Sequence, residues 1–317
     1  MTMEYIILII SLAGIVFGAD YLVSGAVSIA RKFKVSDFVI GAAIVGVGTS
    51  MPELLVSFIG ALEGNADVAI GNVVGSNIFN ILGILGLTAL FFPIAVSKEN
   101  MKFELPVCIG VSILLTLLVF CTGTQTVIGR GDGIILLICF GLFMWYSFYR
   151  DKKTGKGNDE SMQEDPTPLW KALLKTFAGL AVLIISCDFF VDNAVMVAKS
   201  FGVSDAFISL TLIACGTSLP ELAASVTAAL KKNTQLALGN VIGSNIFNIT
   251  WILGLCSQVM PLNSSGITIV DYVVMTVAAI LPLILGFRGR IGRPTGAVLF
   301  VGFVAYTFYL LTTQTAI

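Results

Sequence analysis

Residues 20–87 align without a gap onto residues 188–255 at a constant offset of 168. Asp20 meets Asp188, and the VSD at 35–37 meets the VSD at 203–205. GTSMPE at 48–53 meets GTSLPE at 216–221, and GNVVGSNIFN at 71–80 meets GNVIGSNIFN at 239–248. A duplication of this length governs the architecture, because whatever one copy folds into the other must repeat. The copies lie in a chain that is 56% hydrophobic and 12% charged, with a mean hydropathy of +0.96, far more apolar than soluble domains. Its environment is a lipid bilayer. At about 20 apolar residues per spanning helix, the runs separate into segments near 4–30, 37–62, 67–92, 103–122, 131–149, 169–197, 205–230, 235–258, 268–287 and 294–314. They are long and continuous rather than alternating, which predicts helices and not a β-barrel. The fold class is therefore all-α, a polytopic membrane protein with ten transmembrane helices.

Five segments fall in each half, 1–149 and 169–317, and an odd number makes the second half enter the membrane opposite to the first. Two inverted-topology five-helix repeats of this kind are a design of secondary transporters. Lys and Arg divide sharply under this numbering: Arg130 and Lys199 fall on one side and the other sixteen on the opposite side. The basic side is cytoplasmic, so a multi-pass protein of the cell membrane with both termini extracytoplasmic is expected. The start MTMEYIILII carries Glu4 where a signal peptide carries positive charge, so the first segment reads as a retained span. Residues 150–168, RDKKTGKGNDESMQEDPTP, mix both charge signs and are too short to bury a core; they read as a solvated cytoplasmic linker.

Glu53 and Glu221 lie well inside apolar runs, where an acid at the helix centre costs about 2.5–3.5 kcal/mol on insertion scales. No Lys or Arg lies at comparable depth in either copy, so a bound cation or a proton is left to neutralise them. Each Glu follows a proline. Pro52 and Pro220 lack the N–H that would bond the carbonyl four residues back, which predicts a broken helix and freed carbonyls, tolerable in lipid where they line a cavity or an ion. Thr49, Ser50, Thr217 and Ser218 add hydroxyls beside the break. Glu53 lies ten residues before the connection at 63–67 and Ser76 nine after it, which sets both about 15 Å deep, near the bilayer midplane. Asn80 follows one turn beyond Ser76 on the same face, and Glu221, Ser244 and Asn248 repeat the pattern.

This set is hard oxygen. Ca2+ takes six to eight oxygens in a flexible cage, whereas Mg2+ holds its waters and prefers a small octahedron. Histidine is absent, and the six cysteines lack paired metal spacing and read as small core residues, so softer metals are disfavoured. Gly71, Gly75, Gly239 and Gly243 read as close-packing positions. Asp20, Asp188 and Asp192 lie outside the two hairpins and are not assigned to the site; they could hold helices or line an access path. No GxxxxGK[ST] loop or soluble catalytic domain is present, so neither an ATP-driven pump nor an enzyme is expected. No cofactor and no nucleic-acid partner is expected either.

At these residues the chain resembles the cation/calcium antiporter superfamily, in particular the prokaryotic sodium/calcium exchanger type, over nearly its whole length. The resemblance implies ion-binding roles for Glu53, Thr49, Ser50, Ser76 and Asn80 and for Glu221, Thr217, Ser218, Ser244 and Asn248. It also implies that the carbonyls of Gly46 and Ala214 contribute to a Na+ position, and that the first and sixth helices slide past a core made by the second, third, seventh and eighth. Two positions depart from the pattern: Asn248 stands where such exchangers can carry Asp, and Met51 replaces the usual Leu.

The expected function is exchange of Ca2+ for Na+ by alternating access, because two unpaired carboxylates oppose rearrangement until a cation neutralises them. Protons could do the same, so a Ca2+/H+ antiporter is the alternative. A cation channel is more remote, since channels repeat such residues about an axis along the membrane normal while this duplication is inverted.

Overall fold

A computed structural model describes residues 2–121, 127–154, 166–201, 214–263 and 266–314. These residues are almost entirely helical. The first helix, α1 (Thr2–Phe33), is followed by α2 (Asp37–Thr49) and α3 (Met51–Leu62), a pair bent by 48° at Ser50. A tight turn leads into α4 (Ala66–Phe91), whose middle, Phe79–Leu85, is π-helical. Strand β1 (Ile94–Ala95), α5 (Asn100–Phe120), β2 (Val127–Ile128) and α6 (Arg130–Thr154) complete the first half.

The second half opens with α7 (Leu169–Ser200) and, beyond an undescribed stretch, the single turn α8 (Ala214–Gly216) and α9 (Leu219–Leu230). Helix α10 (Thr234–Val259) carries its own π-helical stretch at Asn248–Ile252. Strand β3 (Leu262–Asn263), α11 (Ile269–Leu285), β4 (Arg290–Ile291) and α12 (Arg293–Gln314) follow. The helices begin and end within a few residues of the apolar segments read from the sequence. Part of the segment 205–230, the second VSD and most of the linker 150–168 lie outside the described residues.

Among the described residues, seven helices are long and apolar enough to cross a membrane, or eight with the bent pair taken as one span. Two shorter apolar helices, Leu219–Leu230 and Ile269–Leu285, lie beside them. Burial ranks the helices. In α10, 94% of the apolar window is buried inside the protein and in α4 78%, against 17% in α7 and 11% in α12. The two central helices are thus wrapped by a shell whose large side chains, among them Ile9, Phe17, Trp170, Phe177 and Phe308, face outward. Apolar surface on this scale suits a protein solvated by lipid.

The duplicated turns are built alike. Asn65 and Asn233 cap α4 and α10 by accepting from Val68 N and Leu236 N, satisfying amides that a helix start leaves without partners. Each cap follows a residue in the left-handed region, Gly64 at φ +79° and Lys232 at φ +61°. The strands also pair between halves: Ile94 faces Ile291, and Ile128 faces Leu262.

Helices α1 and α7 lie against each other on small residues. A Cβ on Gly18 would sit 2.6 Å from Leu183 N, and one on Gly179 would sit 2.4 Å from Leu22 N. The packing role read for the motif glycines holds at Gly239 and Gly243, where a Cβ would meet Phe38 O at 2.3 Å and Ala42 Cα at 2.4 Å. A Cβ on Gly75 would meet no described atom within 4 Å beyond its own stretch of helix; Leu210, the counterpart of Ala42, is outside the described residues. Among the cysteines, Cys108, Cys187 and Cys256 are buried and free, as small core residues should be.

Candidate ion-binding site

The site forms where the two broken helices meet. Ser50 (φ −81°, ψ 11°) interrupts the first and Ser218 (φ −91°, ψ 9°) the second, and α3 and α9 restart with Pro52 and Pro220 in their opening turns. Proline is well placed there, because a helix start needs no N–H from it. Glu53 and Glu221 thus sit in the first turns of new helices, where the exposed amide ends favour negative charge. Both acids are fully buried.

Each acid is held by the opposite half. Ser218 Oγ donates to Glu53 Oε1 at 2.7 Å, and Ser50 Oγ donates to Glu221 Oε1 at 2.7 Å. Ser76 Oγ reaches Glu53 Oε1 at 3.5 Å. Ser244 Oγ instead donates to the carbonyl of Gly46 at 3.2 Å, a carbonyl that also accepts from Ser50 N. The Thr49 hydroxyl is shared between the carbonyl of Val45 at 2.9 Å and Asn240 Oδ1 at 3.2 Å, and Thr217 Oγ1 donates to Asn72 Oδ1 at 3.5 Å. Asn80 and Asn248 are fully buried beside the central contact. Glu53, Thr49, Ser50, Ser76, Asn80 and Gly46 therefore converge with Glu221, Thr217, Ser218, Ser244 and Asn248. Thr217 is half-buried whereas Thr49 is closed off, and Ala214 begins the described part of its helix.

Four asparagines complete the frame and escaped the sequence reading. Asn72 Nδ2 donates to the carbonyl of Glu53 at 3.0 Å and to Ser57 Oγ at 2.9 Å; Asn240 does the same to Glu221 at 3.1 Å and Ser225 Oγ at 2.8 Å. Each clamps the acid-bearing turn of its own half while receiving a threonine from the other. Asn77 and Asn245 exchange bonds at the centre: each Nδ2 donates to the other's backbone carbonyl at 3.1 Å. The signal for all four was their identity in both copies of the decapeptide motif.

The central pair also determines which atom Asn80 and Asn248 have left over. A carbonyl can only accept, so Asn245 and Asn77 must spend their Nδ2 there and present Oδ1. Those oxygens take Nδ2 of Asn80 at 3.0 Å and of Asn248 at 3.1 Å. What remains on Asn80 and Asn248 is oxygen. Among the described residues neither Oδ1 has a hydrogen-bond partner, and neither does Oε2 of Glu53 or Glu221.

Four buried acceptors, two from each half, thus lack donors, where a single unsatisfied group costs about 1–3 kcal/mol and a charged one more. Neither glutamate forms an ion pair among the described residues, where Arg150 pairs with Glu104 and Lys231 with Asp20. A hard cation is the natural complement to such a set, since it accepts oxygen lone pairs and offsets both carboxylates. No group of three or more His, Cys, Asp and Glu converges among the described residues, which leaves amide and hydroxyl oxygens to supplement two carboxylates.

Comparison with known proteins gives the same direction. The family described as sodium/calcium exchanger protein matches residues 3–149 and 171–312. The chain is 40% identical to the putative antiporter CaxA of Alkalimonas amylolytica, over 98% of this chain and 100% of that one. It is 30% identical to the sodium/calcium exchanger MaX1 of Methanosarcina acetivorans, over 98% and 99%. Among solved structures, the sodium-calcium exchanger NCX_Mj soaked with zero Na+ and Ca2+ superposes with a TM-score of 0.83 at 31% identity, covering 97% of this chain and 98% of that one.

Proposed function

Because the chain belongs to the sodium/calcium exchanger protein family, a family of membrane cation antiporters, we propose that it exchanges Ca2+ for Na+ at the joint of its two broken helices. The ions are held by Glu53, Thr49, Ser50, Ser76, Asn80 and the Gly46 carbonyl from one half, and by Glu221, Thr217, Ser218, Ser244, Asn248 and the Ala214 carbonyl from the other. The observation that carries this reading is the set of four donorless oxygens on Glu53, Glu221, Asn80 and Asn248.

The halves, 1–149 and 169–317, are inverted five-helix repeats that make ten spans, with 150–168 as a cytoplasmic linker and both termini extracytoplasmic. Support comes from the one-sided distribution of Lys and Arg and from hydrogen bonds that recur at the 168-residue offset, Asn72 to Glu53 and Asn240 to Glu221 among them. In that frame the site lies at the midplane, reached by one hairpin from each surface.

Exchange follows from charge. Two unit charges 4 Å apart interact by about 4 kcal/mol at an effective dielectric of 20, so the unliganded carboxylate pair resists passage through an occluded state. One Ca2+ offsets the pair, and so do Na+ ions bound to the same oxygens; occupancy by one excludes the other. The α1–α7 pair then moves across the hydrogen-bonded core, and its glycine contacts give the two helices a close common surface.

Equilibrium binding of 45Ca2+ to the purified protein in detergent tests the shared site. Bound Ca2+ should fall to background as Na+ is raised at constant ionic strength with choline. Ca2+ binding that saturating Na+ leaves unchanged would remove the basis for exchange.

A further inference from the structure

We propose that a basic cavity away from the ion site, between α1, α7 and the α9–α10 turn, binds a phosphate group, carried by an anionic phospholipid headgroup or free in solution. The cavity measures about 640 Å3. Arg31 of α1, Lys175 of α7, and Lys231 and Lys232 of the turn line it, against one acid, Asp37. Asn233 and Thr234 bring the amino-terminal end of α10 to the same wall, where helix geometry favours an anion.

The duplicated half supplies an internal control. At the 168-residue offset, Lys231, Lys232 and Gln235 correspond to Glu63, Gly64 and Asp67. The backbone is the same in both turns, down to the left-handed residue, but that residue is Gly64 in one and Lys232 in the other. L side chains rarely adopt this conformation, and glycine adopts it freely. Lys34 shares the left-handed backbone at φ +52°, so the conformation alone does not single out Lys232; what Lys232 adds over Gly64 is a charge in the cavity. The tendency of cytoplasmic loops to be basic accounts for the sign of this turn. It does not account for cations from three separate elements meeting in one cavity.

Two of the four charges, Lys175 and Lys232, are not consumed locally, whereas Arg31 faces Asp37. Lys231 is tied to α1, its Nζ 2.7 Å from Asp20 Oδ1, 3.0 Å from Asp20 O and 2.5 Å from Ser24 Oγ. Among the described residues, Lys175 and Lys232 form no ion pair. A phosphate between them would tie α7 to the turn as Lys231 already ties α1. If α1 and α7 are the moving pair of the exchanger proposed above, the ligand would tune transport; its binding does not rest on that reading.

The test is thermal unfolding of the purified full-length chain in neutral detergent, with added dioctanoyl phosphatidylglycerol, inorganic phosphate, or dioctanoyl phosphatidylcholine as the zwitterionic control. Phosphatidylglycerol or phosphate should raise the unfolding temperature and phosphatidylcholine should not. A rise with phosphatidylglycerol alone identifies a lipid headgroup as the source, and a rise with phosphate shows that a free anion suffices. Lys232→Gly restores the residue of the other copy, so it should fold normally and raise the anion concentration needed for a given rise about five-fold, the factor in affinity expected of one lysine at an anionic surface; Lys175→Gln should do the same. No rise with either anion, or an unchanged concentration dependence in both variants, would overturn the proposal.

Discussion

Substituting Gln for Glu53 or Glu221 is expected to abolish Ca2+ uptake into proteoliposomes while leaving the yield of folded protein intact. The change keeps the shape of the side chain and an oxygen to accept from Ser218 or Ser50, so the cross-bonds between the halves have a partner. It removes one of two negative charges from a fully buried site in which, among the described residues, no basic side chain is paired with either acid. A divalent cation then brings a net positive charge into a low-dielectric interior, and burying an unbalanced charge there costs several kcal/mol, enough to lower occupancy by orders of magnitude. Folding should not suffer, since a neutral amide is easier to bury than a carboxylate. Initial rates of Ca2+ uptake, compared at equal reconstituted protein, measure the effect. Near-normal rates in either variant would remove that glutamate from the site.

Replacing Asn245 by Leu is expected to weaken apparent Ca2+ affinity by about ten- to a hundredfold, the range corresponding to a buried polar group left unsatisfied. Asn245 touches no ligand in this scheme. Its Oδ1 takes the amide hydrogens of Asn80, which leaves the oxygen of Asn80 over. Without that acceptor the Asn80 amide can turn and present NH2, a donor that repels a cation. The half-saturating Ca2+ concentration should therefore rise more than the maximal rate falls. Asn77→Leu should act alike through Asn248. A uniform loss of maximal rate with unchanged half-saturation would mean that the asparagine pair only holds the helices together.

Much of this was legible because it is written in period and repetition. The 168-residue offset, the apolar run lengths and the Pro–Glu steps are properties of the chain itself, and the breaks at Ser50 and Ser218 fall where Pro52 and Pro220 require them. The partnership of the halves was less visible. Ser50 reads as a hydroxyl beside its own acid, Glu53, yet it bonds Glu221, 171 residues away. Only the meeting of the two hairpins makes that pairing, and nothing local encodes it. Asn72, Asn77, Asn240 and Asn245 escaped notice for a related reason. Asn77 and Asn245 bond backbone carbonyls of the other half, and Asn72 and Asn240 bond those of their own acids, partners that no side-chain pattern reveals. The π-helical stretches that begin at Phe79 and Asn248 were equally unreadable, because they depend on how the central helices accommodate one another. The glycines were a middle case: Gly239 and Gly243 announced close packing, while the identity of the neighbour, α2, came from the fold.

The coupling ion is the point on which the functional reading turns, because protons could neutralise Glu53 and Glu221 without help from the hydroxyls and amides around them. The direct measurement is Ca2+ uptake into proteoliposomes loaded with Na+ and diluted into Na+-free medium, beside vesicles carrying an imposed pH gradient and no Na+. Uptake driven by the outward Na+ gradient, abolished by dissipating it and absent under the pH gradient alone, is the expected result. Uptake that follows the pH gradient and ignores Na+ would contradict Na+ coupling.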